Sequence, residues 1–420
     1  MKNTQIEWIG CIPDDWEVKP ISACFKERNE KVSDYEWEPL SVTKQGIVKQ
    51  LETAAKSDAH DARKKVCKND FVINSRSDRK QSCGVSAYDG SVSLINIVLE
   101  NKKLNSKFVN YLLKNYGFAE EFYRYGSGIV ADLWSTNYQK MKKIMIPIPP
   151  NDEQEKIAGF LDEKIQEIDN IIEKTKETIE DYKKYKQLVI TEVVTKGLKK
   201  NSEMKDGKSE WIGLIPKEWD SLKLKYVGKF ISGYAFPSNA FINDGVIAMK
   251  ITNIQPGRID WSELSYVDNE WYDKLEKYRV EKDDVVFALT RPIINGGIKT
   301  AIMTENKKVL LNQRNAMFKK NNRMLSKWLF FVMQNLRYVE EFKLNIDFTG
   351  LQPNISSFDI ENIKIPLPKI KIQEEIIQYL NNKCLEIETL IKKKKEVIIK
   401  LEQYKKSLIY EYVTGKKQVI

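Results

Sequence analysis

The residues best placed to do chemistry lie near the start of the chain, where Pro13-Asp14-Asp15-Trp16-Glu17-Val18-Lys19 carries acids and a lysine in the order of a P-D…E-x-K nuclease. Such sites hold a metal between acids on separate strands, and these acids are too close in sequence to surround one. A second copy, Pro216-Lys217-Glu218-Trp219-Asp220-Ser221-Leu222, lacks the lysine. Other catalytic patterns are missing as well. One histidine, His60, and five cysteines (Cys11, Cys24, Cys67, Cys83, Cys384) with no C-x-x-C pair leave almost no material for a zinc site. Gly297-Ile298-Lys299-Thr300 lacks the distal glycine of a phosphate-binding loop. Pro149-Pro150, between Ile148 and Asn151, is not the [DN]-P-P-[FY] tetrapeptide of adenine methyltransferases, and no G-x-G-x-x-G is present. The sequence therefore predicts a chain without catalytic residues, metal or cofactor of its own.

Contact chemistry remains. A net charge of +10 favours a polyanionic partner. Lys, Arg and backbone amides grip phosphate, whereas forked groups at loop tips read base edges. Three places in each half of the chain fit. Arg76, Arg79 and Lys80 follow the strand-like run Phe71–Asn74, and Arg291 follows Val285–Leu289, with Lys299 counted beside it. Ser127 lies in Gly126-Ser127-Gly128, and Gln352 in the run from Thr349 to Asn354. Lys44 and Gln45 precede Gly46, while Gln313, Arg314 and Asn315 sit together after Asn312. Each place has a plainer reading: an arginine paired with a local acid, a structural turn, a strand end. The sequence leaves both readings open. Trp8, Trp16, Trp211 and Trp219 recur with the scaffold, not with divergent loops, and are read as packing. Lys392 to Lys395 are read as a solvated helix face.

The elements that would position these residues come in duplicate. EWIGCIPDDW (7–16) and EWIGLIPKEW (210–219) agree at seven of ten positions. Ile146-Pro147-Ile148-Pro149 matches Ile365-Pro366-Leu367-Pro368 and is read as a hinge, and a long helical pattern follows each. Asn151 is read as the first N-cap, with Gln154 three residues on. A 4,3 alternation then runs through Leu161, Ile165, Ile168, Ile172, Thr175, Ile179, Tyr182, Lys186 and Val189, and again, 219 positions later, through Leu380, Cys384, Ile387, Ile391, Lys394, Ile398, Leu401, Lys405 and Leu408. Both stripes break at Thr175/Lys394 and Lys186/Lys405. A stripe of period 3.5 is a coiled-coil seam, and Gly197 and Gly415 stand where helix C-caps want glycine. The predicted fold is α+β: two mixed α/β modules in pseudo-twofold arrangement, separated by two long antiparallel coiled-coil helices. The expected bounds are 1–150 and 199–369 for the modules (199–209 being a linker), and 151–198 and 370–420 for the helices. Charge is uneven across them, at +4, −4, +6 and +4 for 1–150, 151–198, 199–369 and 370–420. Two unrelated helical hairpins inside ordinary domains are the alternative.

The EWIG-x-IP-x-x-W block, the IP-[IL]-P exit and the helix ends at Thr191–Thr195 and Tyr410–Thr414 resemble the specificity subunit of Type I restriction–modification systems over essentially the whole chain. Residues 232–238 (SGYAFPS) and 246–254 (VIAMKITNI) resemble recurrent blocks of its recognition domains, whereas Leu40-Ser41-Val42-Thr43-Lys44-Gln45-Gly46 resembles a different subtype. The resemblance implies two target-recognition domains, each reading half of a bipartite double-stranded DNA site. It implies helices that set the spacing and dock two modification (adenine methyltransferase) subunits, which two restriction/translocase subunits can join. S-adenosylmethionine is then expected on the modification subunits, and ATP and Mg on the restriction subunits. Divergence between the modules predicts an asymmetric target.

Composition agrees with a globular chain carrying exposed helix, 42% hydrophobic and 30% charged. No signal peptide and no apolar run long enough to span a membrane is evident, so a reduced, cytoplasmic setting is expected. A non-catalytic coiled-coil adaptor without sequence-specific DNA binding is the competing reading.

Overall fold

A computed structural model describes residues 1–50, 60–128 and 134–419. The chain divides into two units: Met1–Lys176 with Lys395–Ile420, and Glu177–Lys394. Each unit thus combines one module with parts of both long helices.

Runs of consecutive apolar residues make the central strands. Phe71–Asn74 and Val285–Ala288 are buried at every position, as strands covered on both faces must be. In the first unit they build a four-stranded antiparallel sheet in the order Cys83–Val85, Phe71–Asn74, Asn96–Asn101, Phe25–Glu27. The second unit repeats it as Thr300–Ile302, Val285–Ala288, Asn315–Lys320, Gly228–Ser232. The run Ser93 to Val98, whose apolar residues read as one strand in sequence, is interrupted: Gly90–Ser93 and Asn96–Asn101 are separate strands with a turn at Leu94-Ile95. The accompanying smaller sheets differ. One orders Gly90–Ser93, Arg63–Val66 and Lys31–Val32, whereas the other has Val246–Met249 parallel to Val309–Leu311.

The IP-x-P exits are strands. Met145–Ile148 pairs with Glu17–Pro20, and Lys364–Leu367 with Asp220–Lys223, both antiparallel. Each exit is therefore a strap fastened to the segment that follows the tryptophan block, not a hinge. Proline is tolerated because each ribbon has two strands and its outer edge needs no donor.

The long helices run Asn151–Lys196 and Ile370–Val413. Gln154 N donates to Pro150 O, which places Asn151 inside the helix rather than at its cap. Leu161, Ile165, Ile168, Ile172 and Leu408 are buried in the first unit's core, with Ile398 and Leu401 half-buried against them. In the second unit Leu380, Ile387 and Ile179 are buried, while Tyr182 and Ile391 are half-buried. Within the first unit, Phe160 packs on Tyr412 (ring centroids 4.6 Å apart) and Asp169 pairs with Lys405. Within the second, Lys186 pairs with Glu388. Partner numbers fall on one helix as they rise on the other, so the helices pair antiparallel inside each unit. The polar breaks in the seam have occupations of their own: Lys186 and Lys405 make these ion pairs, and Thr175 Oγ1 donates to Ile171 O.

The tryptophans of the repeated block are core residues. Trp16 and Trp219 are 0% and 1% exposed, and each covers the C-terminal glycine of a long helix, Gly415 and Gly197 respectively. Both glycines have positive φ, +70° and +74°, as helix ends of this kind require. Tyr410 Oη donates to Trp8 O, and Lys416 Nζ donates to Ile9 O and Cys11 O, so the second long helix ends on the first module.

Candidate nucleic-acid interface

In each module two of the loops chosen from the sequence meet just beyond a central strand. Arg76 bridges to Ser135, and Ser135 to Ser127, whose backbone groups exchange hydrogen bonds at 3.1 and 3.2 Å. Thr290 likewise bridges to Asn354, and Asn354 to Asp347. Arg291 N donates to Pro353 O at 2.8 Å. The loop after the strand is thus held to the glycine-containing loop in both copies. Ser135, at the centre of the first junction, is not marked by the sequence motifs, although it lies 219 positions before Asn354, at the centre of the second, the same offset as the helix seams.

Arg76 and Arg79 are exposed, Arg79 lying against Asp78. Lys80 is half-buried and pairs with Glu120. Ser127 is exposed and accepts from Lys140 Nζ at 2.8 Å. Arg291 is exposed and holds φ +47°, a strained value for arginine. Gln352 is half-buried, its carbonyl accepting from Asn354 Nδ2.

Two of the chosen residues are internal instead. Lys299 is 7% exposed and donates to Ile251 O. Burial first, and the Arg291 charge second, push its ammonium below the ordinary lysine value. Asn315 is 0% exposed and donates to Met249 O at 2.7 Å. Both spend their donors on backbone carbonyls and serve to hold loops in place. Residue type alone did not separate them from exposed neighbours.

The pairing of Lys44-Gln45 with Asn312–Asn315 as like places is corrected by the register. Asn315 pairs with Ala288, as Asn96 pairs with Asn74, so the counterpart of Asn312–Asn315 is Ser93–Asn96. Lys44 and Gln45 are exposed at a separate hairpin turn between Leu40–Thr43 and Gly46–Lys49. Lys114 Nζ donates to Gln45 O, and a cavity lined by Lys44, Gln45, Gln81, Lys114, Asp169 and Lys405 adjoins it. In the second unit the SGYAFP block also meets the Asn312 turn. Gly233 N donates to Asn315 O, and a Cβ on Gly233 would lie 2.1 Å from Asn312 O. Glycine is required there by close approach.

The acids near the start do not converge on a site. Asp14 accepts from the terminal amine of Met1, and Glu17 pairs with Lys19, whose hydrogen bond holds the Glu17 carboxyl below its usual range. Among the described residues, no helix is long and apolar enough to cross a membrane.

The chain matches the Type I restriction modification DNA specificity domain over residues 13–181 and again over 216–400. It is 30% identical over 334 residues to the Type I restriction enzyme MjaVIII specificity subunit of Methanocaldococcus jannaschii, covering 78% of this chain and 74% of that one. It is 25% identical to the putative MjaX specificity subunit of the same organism over 98% and 96% of the two chains. Its fold is similar to that of a chain from a structural study of complex assembly and conformational transition in a type I R-M system (TM-score 0.73, 13% identity, 97% and 100% covered). It is also similar to the HsdS subunit from Thermoanaerobacter tengcongensis (TM-score 0.59, 14% identity, 99% and 100% covered). The two matched stretches are the two modules, each with much of the long helix that follows it, and the chain belongs to the DNA specificity family of type I restriction–modification systems.

Proposed function

We infer that the chain is the DNA sequence-specificity subunit of a Type I restriction–modification complex, reading an asymmetric bipartite target with one half-site per module. It acts by recognition, not catalysis. Adenine methyltransferase subunits, which must bring the target base out of the duplex, are positioned by it, and restriction subunits join that assembly. S-adenosylmethionine belongs to the former, and ATP and Mg to the latter. The paired helices serve as the spacer between half-sites, and the cytoplasm is the setting. The observation that carries this reading is the loop junction repeated at the end of a central strand in each module, Arg76–Ser135–Ser127 and Thr290–Asn354–Asp347. One scaffold presents two different sets of exposed groups, as two unlike half-sites demand.

Selection from a random duplex library, with the full chain alone and with the modification subunit encoded beside it, tests the reading. Enrichment of one bipartite sequence with unlike halves supports it. Salt-sensitive binding without enrichment would leave only non-specific attraction to phosphate and refute it.

A further inference from the structure

The turn that links the second sheet to the central sheet is built alike in both modules and tipped with opposite chemistry. In the first it is Ser93-Leu94-Ile95-Asn96, and in the second Asn312-Gln313-Arg314-Asn315. The strand pairings Asn96↔Asn74 and Asn315↔Ala288 make the two turns equivalent. Each closing asparagine is buried, at 4% and 0% exposure, and each spends its side-chain amide on a backbone carbonyl. Asn96 Nδ2 donates to Ser93 O at 3.0 Å, and Asn315 Nδ2 to Met249 O at 2.7 Å. The backbone carbonyls of both asparagines are held as well, by Lys64 Nζ in one case and Gly233 N in the other, each at 2.9 Å. The base of each turn is therefore fixed by buried polar groups, while its two central residues project.

The side chains of those central residues have no structural employment. Leu94 and Ile95 are 41% and 39% exposed, a pair of adjacent aliphatic side chains given to solvent at a loop tip. Gln313 and Arg314 are exposed, and no hydrogen bond or ion pair from either side chain is found among the described residues. Both tips stand beside the loop junctions described above. Leu289 N donates to Arg314 O, immediately before Thr290 and Arg291. Asn74, the strand partner of Asn96, accepts from Arg76 N through its side chain. A rigid base, an unused tip and adjacent basic residues are what base readout needs: phosphate contacts set the register and the tip meets base edges.

Building on the specificity role inferred above, we propose that this turn is a base-reading tip in both modules, contacting the thymine methyl edge through Leu94 and Ile95 in one half-site and guanine through Arg314, aided by Gln313, in the other. Aliphatic groups pack against the C5 methyl of thymine, which no other base offers in the major groove. A guanidinium donates to guanine N7 and O6 together, and a glutamine amide matches adenine N6 and N7. The difference between the half-sites is then located in two pairs of residues on one shared turn.

Base analogues test this on the unaltered protein, once library selection has given the target. Deoxyuridine in place of thymidine, one position at a time, is expected to weaken binding by about threefold or more at one or two adjacent positions of the first half-site. 7-Deazaguanine is expected to weaken it about tenfold at one position of the second. The exchange L94Q/I95R should change base preference in the first half-site alone, and Q313L/R314I in the second alone, with thermal unfolding of both variants near that of the wild type. Analogue-insensitive binding with both exchanges leaving an established target unchanged would overturn the tip assignment while the specificity role stands. If the unaltered chain enriches no sequence at all, with or without the modification subunit, both fall.

Discussion

Lys405 donates to both carboxylate oxygens of Asp169, at 2.6 Å each, across the two long helices of the first unit. The same relationship, 219 positions away on each partner, joins Lys186 to Glu388 in the second. Because both acids are more than half exposed, each pair is worth only about 0.5–1 kcal/mol. Its larger effect is on register, since a lysine in an apolar seam is satisfied only where an acid faces it. K405A should therefore lower stability slightly, whereas K405E, which sets two acids face to face, should lower it more. The double exchange K405E/D169K should recover most of the loss in urea unfolding. Equal losses in K405E and the double variant would show that the pair is not coupled.

Gln154 and Gln373 are both 0% exposed and do the same work at the start of each long helix. Gln154 Oε1 accepts from Asn105 N and its Nε2 donates to Pro149 O; Gln373 Oε1 accepts from Leu325 N and its Nε2 donates to Pro368 O. Truncation to alanine strands buried backbone groups on both sides. Q154A and Q373A should each cost about 1–3 kcal/mol, read from denaturant midpoints. A loss below half a kcal/mol in both would mean that solvent replaces the glutamine without penalty.

Gly415 and Gly197 differ in what surrounds them. A Cβ on Gly415 would meet the Pro13 ring at 2.4 Å, whereas one on Gly197 would lie 3.1 Å from the Trp219 ring. Both alanine variants suffer the positive-φ penalty of about 1–2 kcal/mol, but G415A adds a clash. G415A should lower the melting temperature more than G197A, and the reverse order would contradict the packing described at these helix ends.

Burial pushes the Cys83 thiol up to about 12. Unfolded, it ionises near an ordinary value of about 8.5. Between those values the folded chain holds a proton the unfolded chain has lost, so stability falls as pH rises, by about 1.4 kcal/mol per pH unit for this group. Below the unfolded value its contribution is complete. Comparing unfolding at pH 8 and pH 10.5, C83A should lose roughly 2 kcal/mol less than the wild type. In the native protein Cys83 should also escape iodoacetamide while exposed Cys11 reacts, which peptide mass spectrometry would read.

Arg291 and Lys299 separate exposed from internal cations in one segment. R291A should weaken DNA binding and reduce the slope of log affinity against log salt by about one, if the guanidinium reaches phosphate. K299A should reduce thermal stability, because Ile251 O loses its donor. A stable K299A with an altered salt slope would reverse these roles.

What was legible in the sequence was whatever recurs. The tryptophan blocks, the exit motifs and the helical seams recur because each holds the same scaffold twice, and all of them are buried or paired. The readers were harder. Leu94 and Ile95 lie within an apolar run that reads as unbroken strand, since periodicity does not mark a tight turn without glycine or proline. The offset that aligns the helices also aligns Asn96 with Asn315 and would have revealed the turn. Lys299 and Asn315 were chosen by residue type, which does not report whether a donor faces solvent or a backbone carbonyl. Ile146-Pro147-Ile148-Pro149 reads as a hinge in sequence, but a two-stranded ribbon leaves its outer edge free and so accommodates the prolines.

Each module is completed by a helix end contributed from outside its own stretch of sequence: Val413 and Gly415 lie against the first tryptophan block, Val193 and Gly197 against the second. Sequence order and spatial membership are therefore out of step. Genetic exchange with breakpoints inside the repeated blocks would replace one reader wholesale yet rejoin similar surfaces at each seam. Diversity can accumulate in such a gene by shuffling, without each new combination having to reinvent its joints.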